Sequence, residues 1–391
     1  MNLDESLERI RVDQTNAVPV VFPEESRRML AEAPDGSLHG APVTVKDMYC
    51  LPWRGMRNGS AHELLPAQAS GMYRRLRDAG AVVVGIANQH ELGMGGTGAF
   101  SAYGPCRNPV NLDYCAGGSS SGSAASVAAG LVDFSVGSDS GGSTRIPASF
   151  CGVLGLKLTY RSVPTDGYLG HSTTFSAPGT FARTTADLRV LTEAVLARPL
   201  PGADASTLRV GLVVDPFWLG IDPTIESLCH AALERFATRD IAIDGAGLAG
   251  TCATVLMVTE VGLPPRALDG THVYTRAIAT IPHLVPAAMV GLANRVRALV
   301  RRSTAAAFAE VDLLAWPTSA TPVPRLDKAI GGDAGALRQS GFANLTGVPG
   351  ISIPVGRDAN GLPVGLQLLA PWGGEGMLID AAARVLGDPV E

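Results

Sequence analysis

Short apolar runs alternating with helical patterns constrain the fold of this chain more than any other feature. PVTV at 42–45 is β-branched, AVVVGIA at 81–87 reads as a buried strand, and LVDFSVG at 131–137 as another strand. Between them, SGMYRRLRDAG at 70–80 has helical spacing and a glycine stop, and SGSAASVAAG at 121–130 is a small-residue helix. Further on come a strand in LRVGLVVD (208–215) and a helix from Asp222 to Arg239, with Ile225, Leu228, Ala232, Leu233 and Phe236 on one face. A long helix over 287–310 leads into the strand VDLLAWP (311–317). ISIPVG (351–356) and LPVGLQLLA (362–370), split by a DANG turn, predict a hairpin, and a helix over 375–386 closes the chain. Such alternation predicts an α/β layered fold with a largely buried sheet. No low-complexity linker or repeat interrupts it, so 1–391 reads as one domain.

Composition narrows the function classes. The net charge is −5 and only 17% of residues are charged, which leaves no basic groove for nucleic acid. The one basic cluster, Arg295, Arg297, Arg301 and Arg302, falls in a helical run and reads as a solvated helix face. The six cysteines lack metal-site spacing, so they predict reduced, buried thiols and no metal. The charged start MNLDESLERIRVDQ is unlike a signal peptide, and no run approaches the roughly 18 apolar residues of a membrane helix. The chain reads as cytoplasmic, with no membrane partner.

Three small-residue stretches remain to be explained. HGAPVTVKD ends a buried run on Lys46, AGGSSSGSAAS (116–126) leads into a helix, and GSDSGGSTRIPASFCG (137–152) suits neither a helix nor a regular strand. Ser121 and Ser123 are placed to cap the helix that follows them. Gly118 to Gly122 satisfies G-x-S-x-G, but the preceding NPVNLDYCAGG is turn-like. The histidines downstream, His171, His230, His272 and His283, lie in no motif, which argues against a Ser-His-Asp triad. GMGGTG (93–98) has no strand-to-helix setting for a phosphate cradle.

Taken together, GGSSSGSAASVAAG, GSDSGGSTRIPASFCG and HGAPVTVKD resemble the amidase signature family of serine hydrolases. RLRDAGAVVVG, YGPCRNP and the tail NLTGVPGISIPV…GLPVGLQLLAP extend the resemblance from about residue 4 to about 385, most typically over 40–190 and least over 198–316. It implies a central mixed β-sheet covered by helices on both faces. It also implies a Ser–Ser–Lys triad, with Ser143 as nucleophile, Ser119 as bridging serine after a cis peptide bond, and Lys46 as base. The N–H groups of Ser140, Gly141, Gly142 and Ser143 fall at the oxyanion hole, and Met94, Gly95 and Gly117 fall at the substrate pocket. No cofactor is implied.

The chemistry requires these residue types. A serine hydroxyl is a weak nucleophile until a base takes its proton. A lysine can serve only when neutral, so its ordinary value of about 10.4 must be lowered, chiefly by burial. A hydroxyl between them can pass the proton because it both donates and accepts. Arg145 is expected to order the loop by pairing with Asp139 or Asp47.

Three departures stand out. Ser176 replaces an aspartate frequent two residues before Pro-Gly, Leu158 replaces the proline after GLK, and the segment from Arg198 to Pro317 is short and atypical. The expectation is hydrolysis of a small-molecule carboxylic amide through an acyl-enzyme, by a chain that can form a homodimer. Acyl transfer to an amine or from a carrier, an ammonia-supplying component of an amidotransferase, and a catalytically silent binding protein are the alternatives.

Overall fold

The structure is a computed structural model that describes residues 1–170, 172–261 and 265–388; His171 lies outside them. One sheet of eleven strands runs through it. In chain order these are β1 (Val20–Val21), β2 (Pro42–Lys46), β3 (Val82–Ala87), β4 (Phe134–Asp139), β5 (Leu154–Lys157) and β6 (Ala177–Ala182). They continue with β7 (Arg209–Leu212), β8 (Ala237–Asp240), β9 (Leu313–Pro317), β10 (Gly350–Arg357) and β11 (Pro363–Leu369). Their spatial order is β1-β3-β2-β4-β6-β5-β10-β11-β9-β7-β8. β2 lies parallel to β3 and β4, β7 lies parallel to β8 and β9, and pairs such as β4–β6 and β10–β11 are antiparallel. The sheet is therefore mixed.

Every residue of β2, β3, β4, β5, β6, β9 and β11 is buried. Successive side chains of a strand point to opposite faces, so burial of all of them means both faces are covered. The α/β architecture expected from the apolar runs is the one observed. The hairpin of β10 and β11 and the helices Ala287–Glu310 and Glu375–Leu386 also lie where the sequence places them. All six cysteines are free and buried. No single helix among the described residues is long and apolar enough to cross a membrane.

Four expectations need correction. The helix expected over 222–239 is Pro223–Leu233, with Asp222 accepting from the N–H groups of Thr224 and Ile225. The chain then turns into β8, an exposed edge strand parallel to β7. Phe236 is buried in the turn itself, so the apolar spacing outlasts the helix that it mimics. The second correction concerns 137–152, which holds two regular elements. β4 runs through Asp139, and Arg145–Cys151 is a short helix. Pro147 is tolerated because it sits in the first turn, where N–H groups have no partner within the helix.

Third, Ser121 and Ser123 do not cap their helix, Ser121–Ala128. Their hydroxyls donate to the carbonyls of Asn88 and Val136, tying the helix to the sheet instead. Gly122 allows this closeness, since a Cβ there would lie 2.2 Å from the backbone nitrogen of Asn88. Fourth, the arginine cluster is not a uniformly solvated face. Arg297 is buried, and with Arg301 it donates to the carbonyl of Leu345.

Candidate active site

β2 and β4 are adjacent parallel strands, and their carboxyl ends carry Lys46 and Asp139. In sheets of this kind, the crevice beyond the carboxyl ends is where ligands bind. Lys46 is fully buried, with Nζ 2.8 Å from Ser119 Oγ and 2.9 Å from Ser138 Oγ. Burial lowers its pKa to about 7 against a smaller opposing pull from the Asp139 charge. The peptide bond between Gly118 and Ser119 is cis.

Lys46 and Ser119 are thus brought together as expected. Ser138 was not singled out from the sequence, although it is two positions from Val136 and so on the same face of β4. Its hydroxyl also lies 3.0 Å from Met48 Sδ.

Ser143 is half-buried, and its carbonyl accepts the Ser120 N–H at 3.2 Å. Its hydroxyl makes no hydrogen bond among the described residues, so the contact from Ser119 to Ser143 is open in this geometry. Catalytic contacts are commonly loose before substrate is bound.

The loop before Ser143 is held by a buried ion pair. Arg145 Nη2 lies 3.0 Å from Asp139 Oδ1, and neither side chain is exposed. Asp47, the other candidate, pairs with Arg54 at 2.6 Å. Asp139 also accepts the N–H groups of Gly142 at 2.7 Å and Thr144 at 3.1 Å, and Asn344 Nδ2 at 2.9 Å. Burial works to raise the Asp139 pKa, but the Arg145 guanidinium, then the Lys157 charge and the Asn344 amide, hold the carboxyl well below the usual carboxylate range. The N–H groups expected at the oxyanion hole are thus differently engaged. The Gly142 N–H is already engaged by Asp139, and the N–H groups of Ser140, Gly141 and Ser143 have no partner among the described residues.

The two glycines are also unequal. Gly142 has φ +115°, and a Cβ there would lie 2.2 Å from Ser340 Oγ; at Gly141 the nearest atom, Met257 Sδ, is 3.5 Å away. Gly142→Ala is expected to cost about 1–3 kcal/mol of stability from backbone strain alone. Gly141→Ala should stay near wild type in a denaturant titration of both variants. Equal losses would mean that the loop does not distinguish them.

The residues expected at the substrate pocket are packed. The Met94 side chain lies in a small apolar cluster with Cys50, Met56, Leu64, Leu92 and Ala267. Gly95 lies against the buried His90 ring, whose pKa burial, then Lys46 and His272, push down to about 3, so the imidazole is neutral. The Gly117 N–H donates to the carbonyl of Thr97, which fastens the 94–98 loop to the serine loop.

Comparison with known proteins identifies the family. The model of the amidase family matches residues 2–244 and 281–379. A glutamyl-tRNA(Gln) amidotransferase subunit from Methylococcus capsulatus is 32% identical over 413 residues, covering 91% of this chain and 84% of that protein. Its namesake from Agathobacter rectalis is 31% identical, covering 89% of this chain and 80% of its own. Among solved structures, an amidase superposes with a TM-score of 0.91 at 29% identity, over 98% of this chain and 94% of the other.

Proposed function

The chain belongs to the amidase family, and on that premise we propose that it cleaves the C–N bond of a linear carboxylic amide through an acyl-enzyme on Ser143. The observation that carries the reading is a fully buried Lys46, with a pKa of about 7, whose Nζ lies 2.8 Å from Ser119 Oγ. Neutral Lys46 takes the Ser119 proton as Ser119 takes that of Ser143. The freed Ser143 oxygen attacks the carbonyl carbon, and the negative charge moves to the carbonyl oxygen, facing the N–H groups of Ser140, Gly141 and Ser143. Each such donor is worth about 2.7–4 kcal/mol in the transition state. The C–N bond then breaks, and the proton held by Lys46 returns through Ser119 to the leaving nitrogen. Water, deprotonated by the same relay, releases the acid.

Lys46 must be neutral to begin, so activity rises with pH through about 7 and levels off above it. The test is phosphonylation by a small fluorophosphonate, followed by peptide mapping across this range. A single adduct on Ser143, formed with a midpoint near pH 7 and lost in Ser119→Ala, is the expected result. An adduct on Ser120, or a rate flat from about pH 6 to 9, would overturn the assignment.

The amidotransferase relatives favour a second reading, in which the chain hydrolyses an amide side chain and passes ammonia to a partner protein. Weak amide hydrolysis alone, strongly stimulated by such a partner, would select it over the first.

A further inference from the structure

Among the described residues, the stretch 172–176 before β6 makes one hydrogen bond to the loop before Ser143. Ser140 Oγ and Ser176 Oγ are 2.6 Å apart. Ser176 Oγ also accepts the Ser172 N–H at 3.0 Å, and a hydroxyl with two acceptor sites can still either donate to Ser140 or accept from it. Ser172 and Ser176 are both buried, so these bonds are shielded from competing water.

What fixes Ser172 comes from far along the chain. Glu260, at the end of the helix Ala246–Glu260, accepts from the Ser172 hydroxyl, from the Thr174 N–H at 2.9 Å and from the Thr174 hydroxyl at 2.5 Å. Arg297, on the helix Ala287–Glu310, closes the other side. It donates to Thr174 Oγ1 at 3.1 Å and to the Thr174 carbonyl at 2.8 Å, and its guanidinium lies 4.7 Å from the Phe175 ring centre. A carboxylate and a guanidinium thus grip both polar sides of one residue, Thr174. A charged partner makes each of these bonds stronger than a neutral pair would.

We propose that Glu260 is a positioning residue for catalysis, acting through Ser172, Thr174 and Ser176 to hold Ser140 and so aim the N–H groups of Ser140 and Gly141. The inference rests on the reading that those N–H groups stabilise the oxyanion. On the other side of the loop, Ser340 Oγ donates to the Gly141 carbonyl at 2.5 Å and Asp139 accepts the Gly142 N–H at 2.7 Å, so the bond to Ser176 is the hold at the Ser140 end. Losing that hold loosens the Ser140–Gly141 peptide at its Ser140 end, so the N–H groups there are less well aimed at the carbonyl oxygen. The least typical part of the sequence then has a catalytic task, which its departure from the family's pattern conceals.

The effect belongs to the oxyanion and not to the base, and this separates it from general destabilisation. With the full chain and a fluorophosphonate probe, Glu260→Ala should label Ser143 at least tenfold more slowly on the alkaline plateau, with the midpoint near pH 7 unmoved. Ser176→Ala should show a similar loss. The double variant should be no slower than the worse single, because both act along one chain of bonds. Should Glu260→Ala not fold, Ser172→Ala combined with Thr174→Val carries the same comparison.

A folded Glu260→Ala that labels within twofold of wild type overturns the proposal. So does a shifted midpoint with an unchanged plateau, or losses in the two single variants that multiply. A wild-type protein that takes no label on Ser143 overturns the functional reading together with this inference.

Discussion

Lys46→Met is expected to lower turnover by roughly 10³- to 10⁴-fold, the scale set by losing a general base that serves a weak nucleophile. The same variant should be at least as stable as wild type at pH 7. Burial lowers the Lys46 pKa from 10.5 to about 7, so the unfolded chain binds a proton in this interval that the folded chain does not. Stability contributed by this group therefore rises with pH between about 7 and 10.5, and the whole penalty applies below about 7. At 1.36 kcal/mol per pH unit, that penalty is on the order of 5 kcal/mol. Methionine fills similar volume without a charge to desolvate, and loses only two contacts to hydroxyls that can turn elsewhere. Turnover and a denaturation curve on one preparation check both halves. Near-normal turnover would remove Lys46 from the mechanism, and a large stability loss would mean that the buried amine is chiefly structural.

Arg145→Met should be the most destabilising single change near the site, by about 3–5 kcal/mol, because it leaves the Asp139 carboxylate buried without its counter-charge. Both side chains are fully buried, and Arg145 also donates to Gln367 and Asn344, so one substitution breaks contacts to three side chains. Arg145→Lys should recover little, since an ammonium cannot reproduce donation from Nε and Nη2 to the two Asp139 oxygens. The sign with pH follows from the lowered Asp139 pKa. Its stabilisation is complete above the unfolded value of about 3.9 and is lost only as pH falls from there towards the folded value. Wild type should therefore keep this contribution at pH 5. Urea titrations of wild type and both variants at pH 7 test this, and losses below about 1 kcal/mol would place the pair among surface-like bridges.

Some of this was legible from residue order alone. The apolar runs around 42–45 and 81–87 specified buried strands, and the ISIPVG and LPVGLQLLA stretches a hairpin, because side-chain periodicity is a local property. The serine loops and Lys46 were recognisable as motifs, and the pairing of Arg145 with one of two nearby aspartates was foreseen. Other features could not be read in that way. Phe236 kept a helical spacing after the helix had ended, since burial of an apolar side chain does not reveal which element carries it. Arg297 looked like part of a solvated face because only the packed fold shows that Thr174 and Leu345 lie beneath it.

The sequence by itself determined an α/β chain with short buried strands, a candidate base at the end of one of them and two candidate serine loops. Only the tertiary structure decided which groups meet. Lys46 reaches Ser119 across 73 positions and Ser138 across 92; the second contact exists because β2 and β4 are parallel neighbours, and the first because Ser120 Oγ docks the serine loop on the Ser138 backbone. It also decided that the Gly142 N–H serves Asp139 and that Glu260 holds the segment leading to Ser140. Strand order and loop docking are settled by burial summed over the whole core, whereas the motifs are settled within a few residues, so a single chain can state the second plainly and leave the first unsaid.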